Sequence, residues 1–178
     1  MKIGIIIPVK YYRVRDPRGG QDPRESDIDE NAKFAKINGF VYWDLNILEG
    51  LCNPESRNRI GIEFPTCCYF YNSQVHEVTH KAELVDAYRL NELKARVEER
   101  KFVPEWRMQC LEGQWSKEKN SWVKNERPDL DGRIHEASEV WIKLRNFEKL
   151  SQPKKISDFT KKDGSKLEGR RGAYIMCP

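Results

Sequence analysis

The sequence predicts an α+β fold with more strand than helix, a small and partly open β-barrel with helices packed around it. Three observations lead there. Several short β-branched or alternating segments are spread along the chain, one segment alone switches clearly to helical spacing, and an apolar run returns near the C-terminus to close the sheet. At 178 residues the chain has the length of one domain, taken as 1–178, with a core of useful size.

In order, Ile3–Val9 (IGIIIPV) is a β-branched strand, followed by the basic and aromatic KYYRVR. Residues 16–31, rich in Gly, Pro and charge, read as a mobile surface loop. The next strand covers 39–47, with Val41, Trp43, Leu45 and Ile47 on one face and Phe40, Tyr42, Asp44 and Asn46 on the other. Residues 52–65 read as a loop from their Pro, Asn and Ser content. CCYFY (67–71) is a short apolar strand ended by a turn at Asn72-Ser73. From Gln74 to Tyr88 a period of two puts His76, Val78, His80, Ala82 and Leu84 on one face, and Glu77, Thr79, Lys81 and Glu83 on the other.

Residues 90–101 carry Leu90, Leu93 and Val97 at helical spacing, with Asp86 or Asn91 as a cap. Residues 102–134 are irregular, with a hairpin around Lys119-Asn120. EVWIKLRNF (139–147) alternates as a strand, ISDF (156–159) is a short helical turn, DGSKLEGRRG is a loop, and AYIM (173–176) is the closing strand.

A hydrophobic fraction of 38% beside a charged fraction of 34% implies a compact core under a heavily charged surface. No apolar run approaches the roughly 18–20 residues that span a bilayer, so no membrane partner is expected. The five cysteines (Cys52, Cys67, Cys68, Cys110, Cys177) are odd in number and show no CxxC spacing. A disulfide framework is therefore not expected, and a reducing, cytoplasmic setting is. A net charge of +4 is compatible with a phosphate-bearing partner without demanding one.

His76-Glu77-Val78-Thr79-His80 spells H-E-x-x-H, the zinc-hydrolase signature. Its chemistry needs a helix, where residues i and i+4 share a face and both imidazoles reach one zinc. On a strand, at about 3.3 Å per residue, the two histidines stand about 13 Å apart, beyond the reach of one ion. The β-branched Val75, Val78 and Thr79 favour the strand. The expectation is therefore no metal and no cofactor. A zinc hydrolase using His76, Glu77 and His80, with Glu98 or Glu99 downstream as third ligand, is the alternative. GxSxG, P-loop and GxGxxG patterns are absent, so no catalytic residue is nominated and the chain is read as a non-enzyme.

Trp106, Trp115 and Trp122 are interleaved with Arg107, Lys117, Lys119 and Lys124. That pattern supplies π-faces for bases and cations for phosphates. Tyr42, Trp43 and Asp44 form a second candidate, because a carboxylate accepts from the exocyclic amine of a base. Exposed tryptophans also suit a protein-interaction module, which is the remaining alternative.

Three stretches, GFVYWD (39–44), YFYNSQVHEVTHKAELVDAYR (69–89) and SEVWIKLRNFEKLSQPKKISDF (138–159), together resemble the PUA-like superfamily. The likeness is to its EVE and YTH branches, and in particular to the modified-base-binding N-terminal modules of McrB-type restriction systems. The G-x-K-x-x-E-x-R pattern of the ASCH branch is missing. The resemblance implies a flipped or single-stranded methylated base, in DNA before RNA, held in an aromatic cage. Trp43 matches the pocket position, and Trp141 or a loop tryptophan supplies another wall. Tyr42, Trp43, Asp44, Trp106, Trp115, Trp122 and Trp141 are thus the candidate base-binding residues, and Arg107, Lys117, Lys119 and Lys124 the candidate phosphate contacts. The resemblance also implies a restriction or other effector subunit as partner, which would hold any catalysis.

Overall fold

The computed structural model describes residues 2–9, 27–45, 47–73, 75–111, 114–116, 121–123, 126–128, 134–136, 139–168 and 172–178. For residues 27, 106, 109 and 110, and for the short strands between 114 and 136, it describes the backbone alone.

The chain runs β1 (Ile3–Val9), α1 (Asp27–Asn38), β2 (Val41–Leu45), a 3₁₀ turn (Glu49–Cys52), α2 (Pro54–Ile60), β3 (Thr66–Asn72) and β4 (Glu77–Arg89). It continues through α3 (Leu90–Ala95), a second 3₁₀ turn (Val97–Phe102), α4 (Glu105–Leu111) and the short strands β5 (Gln114–Ser116), β6 (Ser121–Val123), β7 (Glu126–Pro128) and β8 (Ile134–Glu136). The long β9 (Val140–Lys154), a third 3₁₀ turn (Ile156–Asp158) and β10 (Ala173–Met176) complete it. Six strands make one mixed, unclosed sheet in the order β10-β1-β3-β4-β9-β2. Every neighbouring pair is antiparallel except β1 with β3. The α+β, strand-rich expectation therefore holds, with an open sheet.

The two faces of the sheet bury different clusters. The larger contains Ile5, Ile7, Val41, Trp43, Leu45, Cys68, Phe70, Leu84, Ile142, Leu144 and Phe147, roofed by Ile28 and Ala35 of α1. Tyr42 and Trp141 face the other way, onto Leu90, Leu93, Val103 and Leu111. Tyr69, Tyr71, Val78 and Ile175 pack with Phe159 and Leu167.

Bulges correct the simple alternation. Phe70 pairs with His80 and Tyr71 with Val78, so Thr79 is the extra residue. Val78 consequently joins the Tyr69/Tyr71 cluster and does not share a face with His80. In β9 the partners of Lys81 and Glu83 are Glu148 and Arg145, three residues apart. Asn146 takes up the difference with φ 49°. That step turns Phe147 onto the face of Ile142 and Leu144.

Two expected loops contain helices. Residues 27–31, expected in the loop, begin α1; residues 10–26 lie outside the described part. Gly39 ends α1 at φ 84°, its N–H reaching Ala35 O at 2.8 Å. Residues 54–60, also expected as loop, form α2. Asn53 Oδ1 caps it by accepting from Glu55 N at 2.9 Å and Ser56 N at 3.2 Å, and Pro54 takes the first turn. The predicted helix at 90–101 divides into α3 and a 3₁₀ turn. Neither expected cap serves it. Arg89 N–H instead donates to Glu92 Oε2 at 2.8 Å, and Val97 is 68% exposed. Within 102–134, α4 was not expected, while the hairpin is present as β5–β6 with Trp115 opposite Trp122.

Cys67 and Cys177 form a disulfide, against the expectation from the cysteine count. Strand alternation does separate Cys67 from Cys68. Cys68 enters the large core while Cys67 faces Cys177 across Gly4. Sequence spacing did not expose this pair because 110 residues separate it.

Candidate functional site

The H-E-x-x-H segment is extended, not helical. His76 sits in the turn before β4 with φ 59°, its Nδ1 3.3 Å from the Tyr71 hydroxyl. His80 is 2% exposed within β4. Thr79 Oγ1 lies 2.9 Å from its Nδ1, and Asp29 Oδ1 lies 3.1 Å from its Nε2. Burial pushes the His80 pKa down, against the opposing pull of Asp29. Glu99, a possible third ligand, packs beside Tyr42 on the opposite side of the sheet. Among the described residues, no three His, Cys, Asp or Glu side chains are grouped to hold a metal.

The predicted pocket residues of β2 are interior. Trp43 lies 5.1 Å from Phe70 and 6.0 Å from Phe147 between ring centroids. Arg107 spreads its guanidinium over the indole, 4.3 Å from the centroid. It also pairs with Asp44 and donates to Asn31 Oδ1 at 3.2 Å. Arg107 is 2% exposed, so its charge is used inside the protein and it is not placed as a surface phosphate contact.

Tyr42 and Trp141 are fully buried and offer no ring face to a ligand as packed. The Tyr42 hydroxyl donates to Glu99 Oε2 at 2.7 Å, and burial with that carboxylate raises its pKa far above the usual value. Lys143 Nζ pairs with the same carboxylate at 2.7 Å and lies 4.5 Å from the Phe40 ring and 4.8 Å from the Phe102 ring. This aromatic enclosure is thus filled by the chain's own ammonium. Burial pushes the Glu99 pKa up, but the bonds from Lys143 and Tyr42 outweigh it and hold it below the usual value. Trp106 lies on α4, Trp115 on β5 and Trp122 on β6, with only their backbones described; Lys117, Lys119 and Lys124 lie outside the described residues.

An open groove of about 870 Å³ offers a different surface, within the range of ligand sites. Its lining includes the exposed Lys2, Lys36 and Lys81 together with the largely buried Ala35 of α1, Tyr69, Ala82 and Phe147. Phe147, itself buried, stacks on Phe70 at 4.6 Å. Burial raises the Tyr69 pKa, partly offset by Lys81.

Several polar groups line the groove. Lys81 Nζ pairs with Glu148 at 3.0 Å, and Arg145 Nε with Glu83 at 2.6 Å. The bond from Arg145 holds the Glu83 carboxyl below its usual value, and Asn146 adds a further bond. Chemically, the groove combines cations for an anionic backbone with an amide and two carboxylates for hydrogen bonding.

Sequence reasoning missed this constellation. Lys81 and Glu83 share the outer face of their strand, as the alternation predicts, but Lys36 is supplied by the unexpected helix. Comparison with known proteins adds no relative: no family model, curated protein or solved structure matches the chain.

Proposed function

We propose that this chain is a nucleic-acid-binding module that reads a modified base, in DNA before RNA, and that the Lys2/Lys36/Lys81 groove is its binding surface. The observation that carries this reading is one groove lined by three exposed lysines together with Glu83, Asn146 and Glu148. Phosphates meet the lysines, and a base lies in the groove beside them. Asn146 and the two carboxylates suit the polar edge of a base. Trp43 contributes from behind Phe147 by fixing that ring. The resemblance to the EVE and YTH branches favours the same reading, with an effector subunit supplying any reaction.

The extended geometry of His76–His80 and the engagement of both His80 nitrogens weigh against the zinc-hydrolase alternative. Titration against a panel of methylated and unmodified oligonucleotides, single-stranded and duplex, tests the proposal. Tighter binding of one methylated member at low salt is expected. No binding to any member under those conditions would refute it.

A further inference from the structure

We propose that the Cys67–Cys177 disulfide is a thiol-responsive latch on the groove, holding its Lys2 rim in the binding-competent position; this rests on the nucleic-acid reading above. Both cysteines line the groove. Both are only half-buried, so a small thiol can reach them. Their bond joins the segment after β10 to β3, across β1.

The surroundings are shaped around that bond. Gly4 passes directly beneath it, and a Cβ there would collide with Cys67 Sγ and Cys67 O and lie 2.8 Å from Cys177 Sγ. Thr66 Oγ1 donates to Ile3 O at 2.6 Å and lies 3.6 Å from Cys177 Sγ. The rim is tied to the same point, since Cys177 N–H donates to Lys2 O at 2.9 Å.

Strand β10 itself has other restraints. It pairs with β1 from Ile3↔Met176 to Ile6↔Ala173, and Met176 N–H reaches Thr160 O at 2.9 Å. Opening the disulfide therefore leaves the sheet intact and releases Cys177, Pro178 and the backbone anchor of Lys2.

The reaction is an ordinary exchange with a dithiol. One dithiol thiolate attacks a protein sulfur and expels the other as thiolate; the second dithiol thiolate then resolves the mixed disulfide. The protein gains two electrons and two protons as Cys67 and Cys177 thiols, and the dithiol leaves as its cyclic disulfide.

The test compares oxidised protein, protein treated with dithiothreitol and the Cys177→Ser variant, with thiols counted by alkylation and mass. Affinity for the best-bound oligonucleotide should fall by about three- to tenfold on reduction, the size of losing roughly one phosphate contact. Cys177→Ser should match the reduced protein and ignore the reductant. Equal affinity of verified oxidised and reduced forms would overturn the latch, as would failure of the bond to form under mild oxidant. If no form binds any oligonucleotide, the nucleic-acid reading fails. Hydrogen exchange at the Cys177 amide then decides the latch separately, with faster exchange after reduction supporting it and unchanged exchange overturning it.

Discussion

At the scale of single residues, the most consequential group is Arg107, which satisfies Asp44 and Asn31 and covers Trp43. A buried carboxylate deprived of its cation is costly. Arg107→Met should therefore lower stability by about 3–5 kcal/mol, measured by denaturant unfolding. Replacing Asp44 with Leu in the same chain should recover much of that loss, because the buried charge is gone. His80 gives a second residue-level prediction. Its folded pKa is depressed below 6.5, so on acidification the unfolded chain takes up the proton first. Stability from this group is full above about pH 6.5, falls as pH drops below that value, and levels off beneath the folded pKa. A series of unfolding curves between pH 8 and 5 should show that decline, and His80→Gln should flatten it.

At the scale of elements, the β9 bulge decides which rings meet. Asn146 at φ 49° is what turns Phe147 toward Phe70 and Trp43. A β-branched residue resists that backbone region, so Asn146→Val should cost about 1–2 kcal/mol in unfolding measurements. Asn146→Gly should be close to neutral. The same feature explains what was legible in the sequence. Strands with undisturbed alternation, such as Val41–Leu45, showed both faces correctly: Trp43 with Val41 and Leu45, Tyr42 and Asp44 opposite. Val78 and Phe147 lie next to bulges, and a bulge leaves no periodic signal. Helix α1 hid for another reason. Its inward positions include Asn31 and Ala35, small or polar residues that give a faint apolar stripe, while Ile37 points outward at 82% exposure. In α2 the Asn53-Pro54 pair that suggested a loop is the helix start. The disulfide and the groove join residues distant in sequence, which no local pattern could bring together.

At the scale of the whole molecule, the sheet serves two ends. Its interior uses Tyr42, Trp43, Asp44, Arg107 and Trp141, while its groove gathers lysines from α1, from β4 and from the residue before β1. Binding through that rim should be salt-dependent, with the logarithm of affinity falling linearly with the logarithm of salt concentration. Removing one lysine that contacts a phosphate should lower the slope by about 0.7–0.9. The measurement closest to the central claim is a fluorescence titration of a methylated oligonucleotide at low salt, comparing the native chain with Lys2→Glu/Lys36→Glu. The account predicts saturable binding by the native protein and a loss of about tenfold or more in the charge-reversed one. Binding of equal strength by both proteins, or none by the native chain, would contradict it.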